Sequence, residues 1–178
     1  MALIHIASVT ASASATVSFT TGIDATYNEY QWHFVNMHPS AQPSNFSFQV
    51  NASGQTGFNE TITSTSFRAI HNEGNTDASL TYEAARDQAQ GTAYQVMTAA
   101  QGTDADQSAS GVLTLYAPSS TTYVKHFTST VQFSHQSDYS IQSFTAGYVN
   151  VTAAIDEISF KFDTGNIDAG TIHMYGVG

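Results

Sequence analysis

Hydrophobic and polar residues alternate along much of this chain. Tyr30, Trp32 and Phe34 are separated by Gln31 and His33, and Phe46, Phe48 and Val50 by Ser47 and Gln49. A period of two places alternate side chains on opposite faces of an extended segment, so both stretches predict half-buried β-strands with the aromatics in the core. The same reading predicts strands over 3–9, 15–20, 60–70, 111–116, 123–134, 141–150, 158–162 and 171–175. The total is about ten strands, with no helix-period segment between them. Residues 77–90 (DASLTYEAARDQAQ) are the exception, because Ala, Glu, Arg and Gln favour helix; a short helix or a long loop across a sheet edge would fit there.

Strands at regular spacing without intervening helices predict an all-β fold, an antiparallel two-sheet sandwich of jelly-roll type, rather than a parallel sheet. Asn36 to Ser40 (NMHPS) and Leu115 to Ser119 (LYAPS) both close on Pro-Ser, and proline ends a ladder because it has no amide hydrogen. Gly-, Asn-, Asp- and Ser-rich stretches at 71–79 and 102–110 predict exposed loops, with His71, Asn72, Asn75, Asp104 and Asp106 as candidate contact residues. No linker divides the 178 residues, which are enough for one domain with a sizeable core.

Composition narrows the function classes. Only 10% of residues are charged, and Ser and Thr supply about a quarter, so solubility rests on hydroxyls and amides. The net charge of -10 includes only Arg68, Arg86, Lys125 and Lys161 as fixed cations. Without a basic cluster to neutralise phosphates, nucleic acid and anionic membranes are poor partners, whereas a basic protein surface is a good one. The absence of Cys excludes disulfides and thiolate metal sites. The first residues lack the charged start and apolar core of a secretory signal, and no run is long enough to span a membrane.

Candidate chemistry is sparse. In DADQSASG, from Asp104, the calcium-loop pattern fails because positions six and twelve are Ala109 and Leu115 instead of Gly and Glu. A solvated turn is the alternative to an irregular calcium site on Asp104 and Asp106. The seven histidines lack the close spacing that puts two imidazoles on one metal, although His33 with His38, or His126 with His135, could converge in space. His5, His33, His126, His135 and His173 fall in or beside predicted strands, which suits interface hydrogen bonds. No nucleophile elbow or phosphate-binding glycine motif occurs, and Asp156 and Glu157 would point to opposite faces of a strand. No enzyme activity, cofactor or metal is expected. The many aromatics are mainly core candidates, with an exposed platform for a sugar ring as the other use.

Three stretches carry a resemblance: "FTTGIDATYNEYQWHFVNMHP", "PSSTTYVKHF" and "SDYSIQSFTAGYVNVTAAIDEISFKFDTGNIDAGTIHMYGVG". Together they resemble a family of structural proteins of tailed bacteriophages, particularly marine ones, over residues 19–178. The resemblance implies a virion protein, first a capsid decoration (cement) protein whose partners are the major capsid protein and copies of itself, with a homotrimer on a local three-fold axis as one arrangement. The alternative is a tail-fibre, knob or tail-tip component contacting a host glycan. Leu3, Ile4 and Ile6 in the first strand, with Ile172, Met174 and Tyr175 in the last, are the candidate assembly positions. The last residues, 176–178, are expected at a tight contact.

Overall fold

The computed structural model describes residues 2–178. Twelve strands follow in chain order: β1 (Leu3–Ser14), β2 (Val17–Phe19), β3 (Glu29–Pro39), β4 (Phe46–Ala52), β5 (Ile62–Asn72), β6 (Ala78–Tyr82), β7 (Gln95–Val96), β8 (Ala109–Tyr116), β9 (Lys125–His135), β10 (Tyr139–Val149), β11 (Ile155–Phe162) and β12 (Ile167–Val177). They form two antiparallel sheets. The larger has eight strands in the order β1-β12-β3-β8-β9-β10-β5-β6, and the smaller has four in the order β2-β11-β4-β7.

Most connections change sheet. Each of β2, β4, β7 and β11 is flanked in sequence by strands of the larger sheet, so the chain wraps around the core. The smaller sheet with β3, β8, β5 and β6 makes a jelly-roll framework. The β9–β10 hairpin widens the larger sheet between β8 and β5, and β12 with β1 extends it beyond β3. The alternating aromatics account for the core: Tyr30, Trp32 and Phe34 of the larger sheet face Phe46, Phe48 and Phe160 of the smaller, all buried. Phe34 contacts Phe46 and Phe160 edge-on, with ring centroids 5.2 and 5.3 Å away. That edge-to-face geometry adds about 1 kcal/mol per pair to the burial itself.

Three expectations are corrected. The helix-prone stretch 77–90 contains no helix: Ala78–Tyr82 is an edge strand paired to β5, with Tyr82 opposite Phe67. Helix propensity here yields to pairing, because Leu80 and Tyr82 alternate and supply no helical stripe. The remainder is held by Glu83, whose carboxylate oxygens lie 2.8 Å from Arg68 Nε and 3.0 Å from Arg86 Nε. Second, β4 is buried on both faces rather than one. Its polar face is covered by the chain running to β5 and into β7, where Gln49 Nε2 donates to the carbonyls of Glu60, Thr92 and Ala93. Third, β6 and β7 raise the strand count above the expected ten or so, and the loops are shorter than the composition predicts: His71 and Asn72 end β5, and Ala109 and Ser110 begin β8.

Glycine is required at two places in the last strand. Gly170 lies within β12 at φ 123° and at a register irregularity against β3. A Cβ there would sit 2.8 Å from Asn36 O and from Met37 Cα. Beyond it, Gly176 lets the Tyr27 ring lie against the backbone, where a Cβ would be 2.2 Å from the ring. No helix among the described residues is long and apolar enough to cross a membrane.

Candidate functional site

The eight-stranded sheet turns one face to the core and the other outward. Register pairs define a row that crosses this outer face from edge to edge: Tyr82, Phe67, Phe144, Thr130, Val112, His33, His173 and Ser8. Its two halves differ in chemistry. Phe67 and Phe144 stack with centroids 4.8 Å apart and planes 12° from parallel, beside the exposed Tyr82. At the other end the row consists of imidazoles and a hydroxyl.

The next row runs through Thr65, Ala146, Thr128, Thr114, Gln31, Tyr175 and His5. Ala146 is small, and the larger Phe144 and Tyr148 stand on either side of it along β10. The result is a shallow apolar trough of about 430 Å³, lined by Thr63, Thr65, His126, Thr128, Ala146 and Tyr148. Among the described residues, Glu29 at the end of β3 and Asp168 near the start of β12 are the two formal charges on the outward positions of the eight strands.

The imidazoles cluster at the β1-β12-β3 end. Ser8 Oγ is 2.7 Å from both His5 Nε2 and His173 Nδ1. His33 Nε2 lies 2.9 Å from Gln31 Oε1, and Gln31 Nε2 donates to Glu29 Oε1 at 2.8 Å. Tyr175 lies among them, its ring centroid 4.8 Å from His33 and 5.6 Å from His5. Burial lowers the His33 pKa from the ordinary imidazole value, and the neighbouring charge of His173 lowers it further. His33 is therefore held neutral near pH 7. The expected pairings of His33 with His38, or His126 with His135, do not organise this region. His5, His33 and His173 come from three strands far apart in sequence, and only the sheet register brings them together.

All four fixed cations are engaged within the chain. Arg68 and Arg86 hold Glu83. Lys161 Nζ lies 4.3 Å from the centroid of the Tyr94 ring. Lys125 is fully buried, and its Nζ donates to the carbonyls of Tyr123, Val151 and Thr152 at 2.9, 3.1 and 3.0 Å. Burial lowers its pKa. Most of the fourteen carboxylates face no fixed cation.

The two predicted loops meet at one end of the sandwich. Glu73, Asp104, Asp106 and Asp138 line a single open recess beside Tyr139, and Glu73 N donates to Asp138 O at 3.0 Å. His71 and Asn75 are exposed but lie outside that recess; Asn72 instead folds its own loop, accepting from the amides of Thr76 and Asp77. Among the described residues no group of three or more His, Cys, Asp or Glu is placed to hold a metal ion.

The assembly positions divide. Leu3 and Ile4 are exposed on β1, an open edge of the larger sheet, and Ile6 is half-buried. Ile172 and Met174 are corrected: both are fully buried, and β12 has β1 on one side and β3 on the other, so it has no free edge to offer a neighbour. Tyr175 is outward and half-buried within the imidazole cluster. No protein-family model, curated protein or solved structure matches this chain.

Proposed function

We propose that this chain is a non-enzymatic structural protein of a tailed-phage virion, a capsid decoration protein that lays the outer face of its eight-stranded sheet against neighbouring subunits. The observation that carries this reading is the face itself, eight strands wide and almost free of formal charge on a chain of net charge -10. Charged side chains are costly to desolvate, and a surface meant only to face water has no reason to exclude them. Hydroxyls, amides and an aromatic pair suit a broad shape-matched contact. The acidic loops and rim then lie outside it, available to a basic partner surface. With every fixed cation engaged internally, no cluster is free to hold phosphates.

The partners in this reading are the major capsid protein and adjacent copies, and the place is the capsid surface. The experiment is a cryo-EM reconstruction of the parent virion together with a Phe144→Asp variant, which puts a carboxylate into the aromatic half of the face. Decoration predicts density repeated over the icosahedral shell and loss of the variant from particles while it remains folded alone. Density confined to the tail would overturn it.

A second reading is favoured by the trough over Ala146. Its apolar floor, with His126, Tyr148 and threonine hydroxyls around it, matches the mixture of ring contact and hydrogen bonding that a neutral sugar uses. A tail-fibre or tail-tip protein contacting a host glycan would use it in that way, and a glycan array with a Tyr148→Ala control tests that use directly.

A further inference from the structure

The larger sheet ends on β1, a strand of twelve residues with no other strand beyond it. Natural edge strands are guarded by lysine, proline, inward-pointing charge or a covering loop. Of lysine, proline and charge β1 has none: its sequence LIHIASVTASAS contains no Lys, Arg, Asp, Glu or Pro. Its only interruptions are a register irregularity between His5 and Ala7 and a left-handed Ala13 at φ 49°. Between them lies a regular stretch, Ala7 to Ser12, paired residue by residue to Met174 through Ala169.

The direction of its free backbone groups follows from the ladder. Ala2 and Gly178 exchange both backbone hydrogen bonds, Ala2 N to Gly178 O at 2.9 Å and Gly178 N to Ala2 O at 3.0 Å. Such exchanging pairs alternate with pairs whose amides and carbonyls point away. On β12 the even-numbered residues therefore bond toward β1, and Ala7, opposite Met174, and Val9, opposite Ile172, bond toward β12. Ser8 and Thr10 present their N–H and C=O to the open edge. Ser12 is closed locally, since its amide donates to Ser14 Oγ at 3.3 Å.

We infer that this edge pairs with the same edge of a second copy, antiparallel about a two-fold axis through Val9. In that register Ser8 faces the partner's Thr10 and exchanges both backbone bonds with it. Val9 faces its own copy on the core side, while Ser8 and Thr10 stay on the outer side. Alternation is kept, so the two outer faces become continuous on one side of a double-width sheet. The absence of formal charge along β1 removes like-charge opposition at the seam, where two chains of net charge -10 would otherwise repel. The pairing gives a dimer rather than the trimer that the resemblance implies. It is a property of the isolated chain and does not depend on which particle carries it.

The test is sedimentation velocity on the full chain at high micromolar concentration, with three variants. Thr10→Pro removes an outward amide without touching the β12 ladder and should convert the dimer to monomer. Leu80→Lys, on the opposite edge β6, should leave the dimer intact. Val9→Cys, in a chain that otherwise has no cysteine, should form an intermolecular disulfide under mild oxidation, because non-bonded antiparallel pairs place Cα atoms about 4.5 Å apart. The cross-link keeps the proposal testable should Thr10→Pro fail to fold. A wild-type chain that stays monomeric overturns the pairing, as does a dimer that Leu80→Lys splits or that Val9→Cys leaves unlinked.

Discussion

Trp32 of β3 and Phe160 of β11 meet across the two sheets with ring centroids 6.3 Å apart, and the indole nitrogen of Trp32 is buried without a hydrogen-bond partner. The contact ties the larger sheet to the smaller at the middle of the core. The unpartnered N–H sets an unusual order of substitutions at this position. Trp32→Ala should cost about 3–5 kcal/mol, from lost burial and the cavity left behind. Trp32→Phe should cost much less, because it also removes a buried donor that makes no bond. Chemical denaturation of the two variants measures the difference, and equal losses would show that the unpaired donor has no energetic weight.

Lys125 anchors the start of β9 to the β10–β11 connection through three carbonyls. Lys125→Met keeps the stem and deletes the donors, leaving those three carbonyls without the ammonium that bonds them. The expected loss is about 3 kcal/mol, read as a lowered denaturation midpoint. A neutral result would mean that desolvating the ammonium costs as much as its bonds return.

His33 and His135 both have pKa values lowered by burial, aided by His173 in the first case and by Arg68 and Arg86 in the second. A base with a lower pKa when folded binds fewer protons in the native state than in the unfolded one. Stability contributed by these groups is therefore intact above the ordinary imidazole value of about 6.5 and lost as pH falls below it. The thermal midpoint should drop between about pH 7 and about pH 5.5, above the range where carboxylates titrate. A His33→Gln/His135→Gln chain should show a flatter profile, and a wild-type midpoint that rises on acidification would reverse the sign.

Gly170 combines a left-handed backbone with a close approach to Asn36 and Met37. Gly170→Ala should cost more than about 1 kcal/mol, since both the conformation and the space oppose a methyl group. Ala169→Gly, at the neighbouring exposed position, serves as the control in the same melting experiment and should change stability by less.

The strand pattern was legible because alternation is local. Tyr30, Trp32 and Phe34 declare their common face within five residues. β6 was hidden by helix-favouring Ala, Glu and Arg just after it, and the two-residue β7 is too short to have a period. The double burial of β4 depends on Gln49 finding carbonyls in two distant segments, which no window along the chain contains. The outer face was unreadable for a stronger reason. The row from Tyr82 to Ser8 needs the register of every neighbouring strand pair, and a slip of one residue would turn its members inward.

The internal engagement of Arg68, Arg86, Lys125 and Lys161 leaves the exterior of the folded chain close to a pure polyanion. Ionic strength then becomes a diagnostic of its neighbours. Screening shortens from about 10 Å at 0.1 M salt to about 3 Å at 1 M. Contacts between two copies, which carry charge of the same sign, should tighten as salt rises, while attachment to a basic surface should loosen. One titration therefore separates self-association from capture by another protein, because the same change of solvent drives the two in opposite directions.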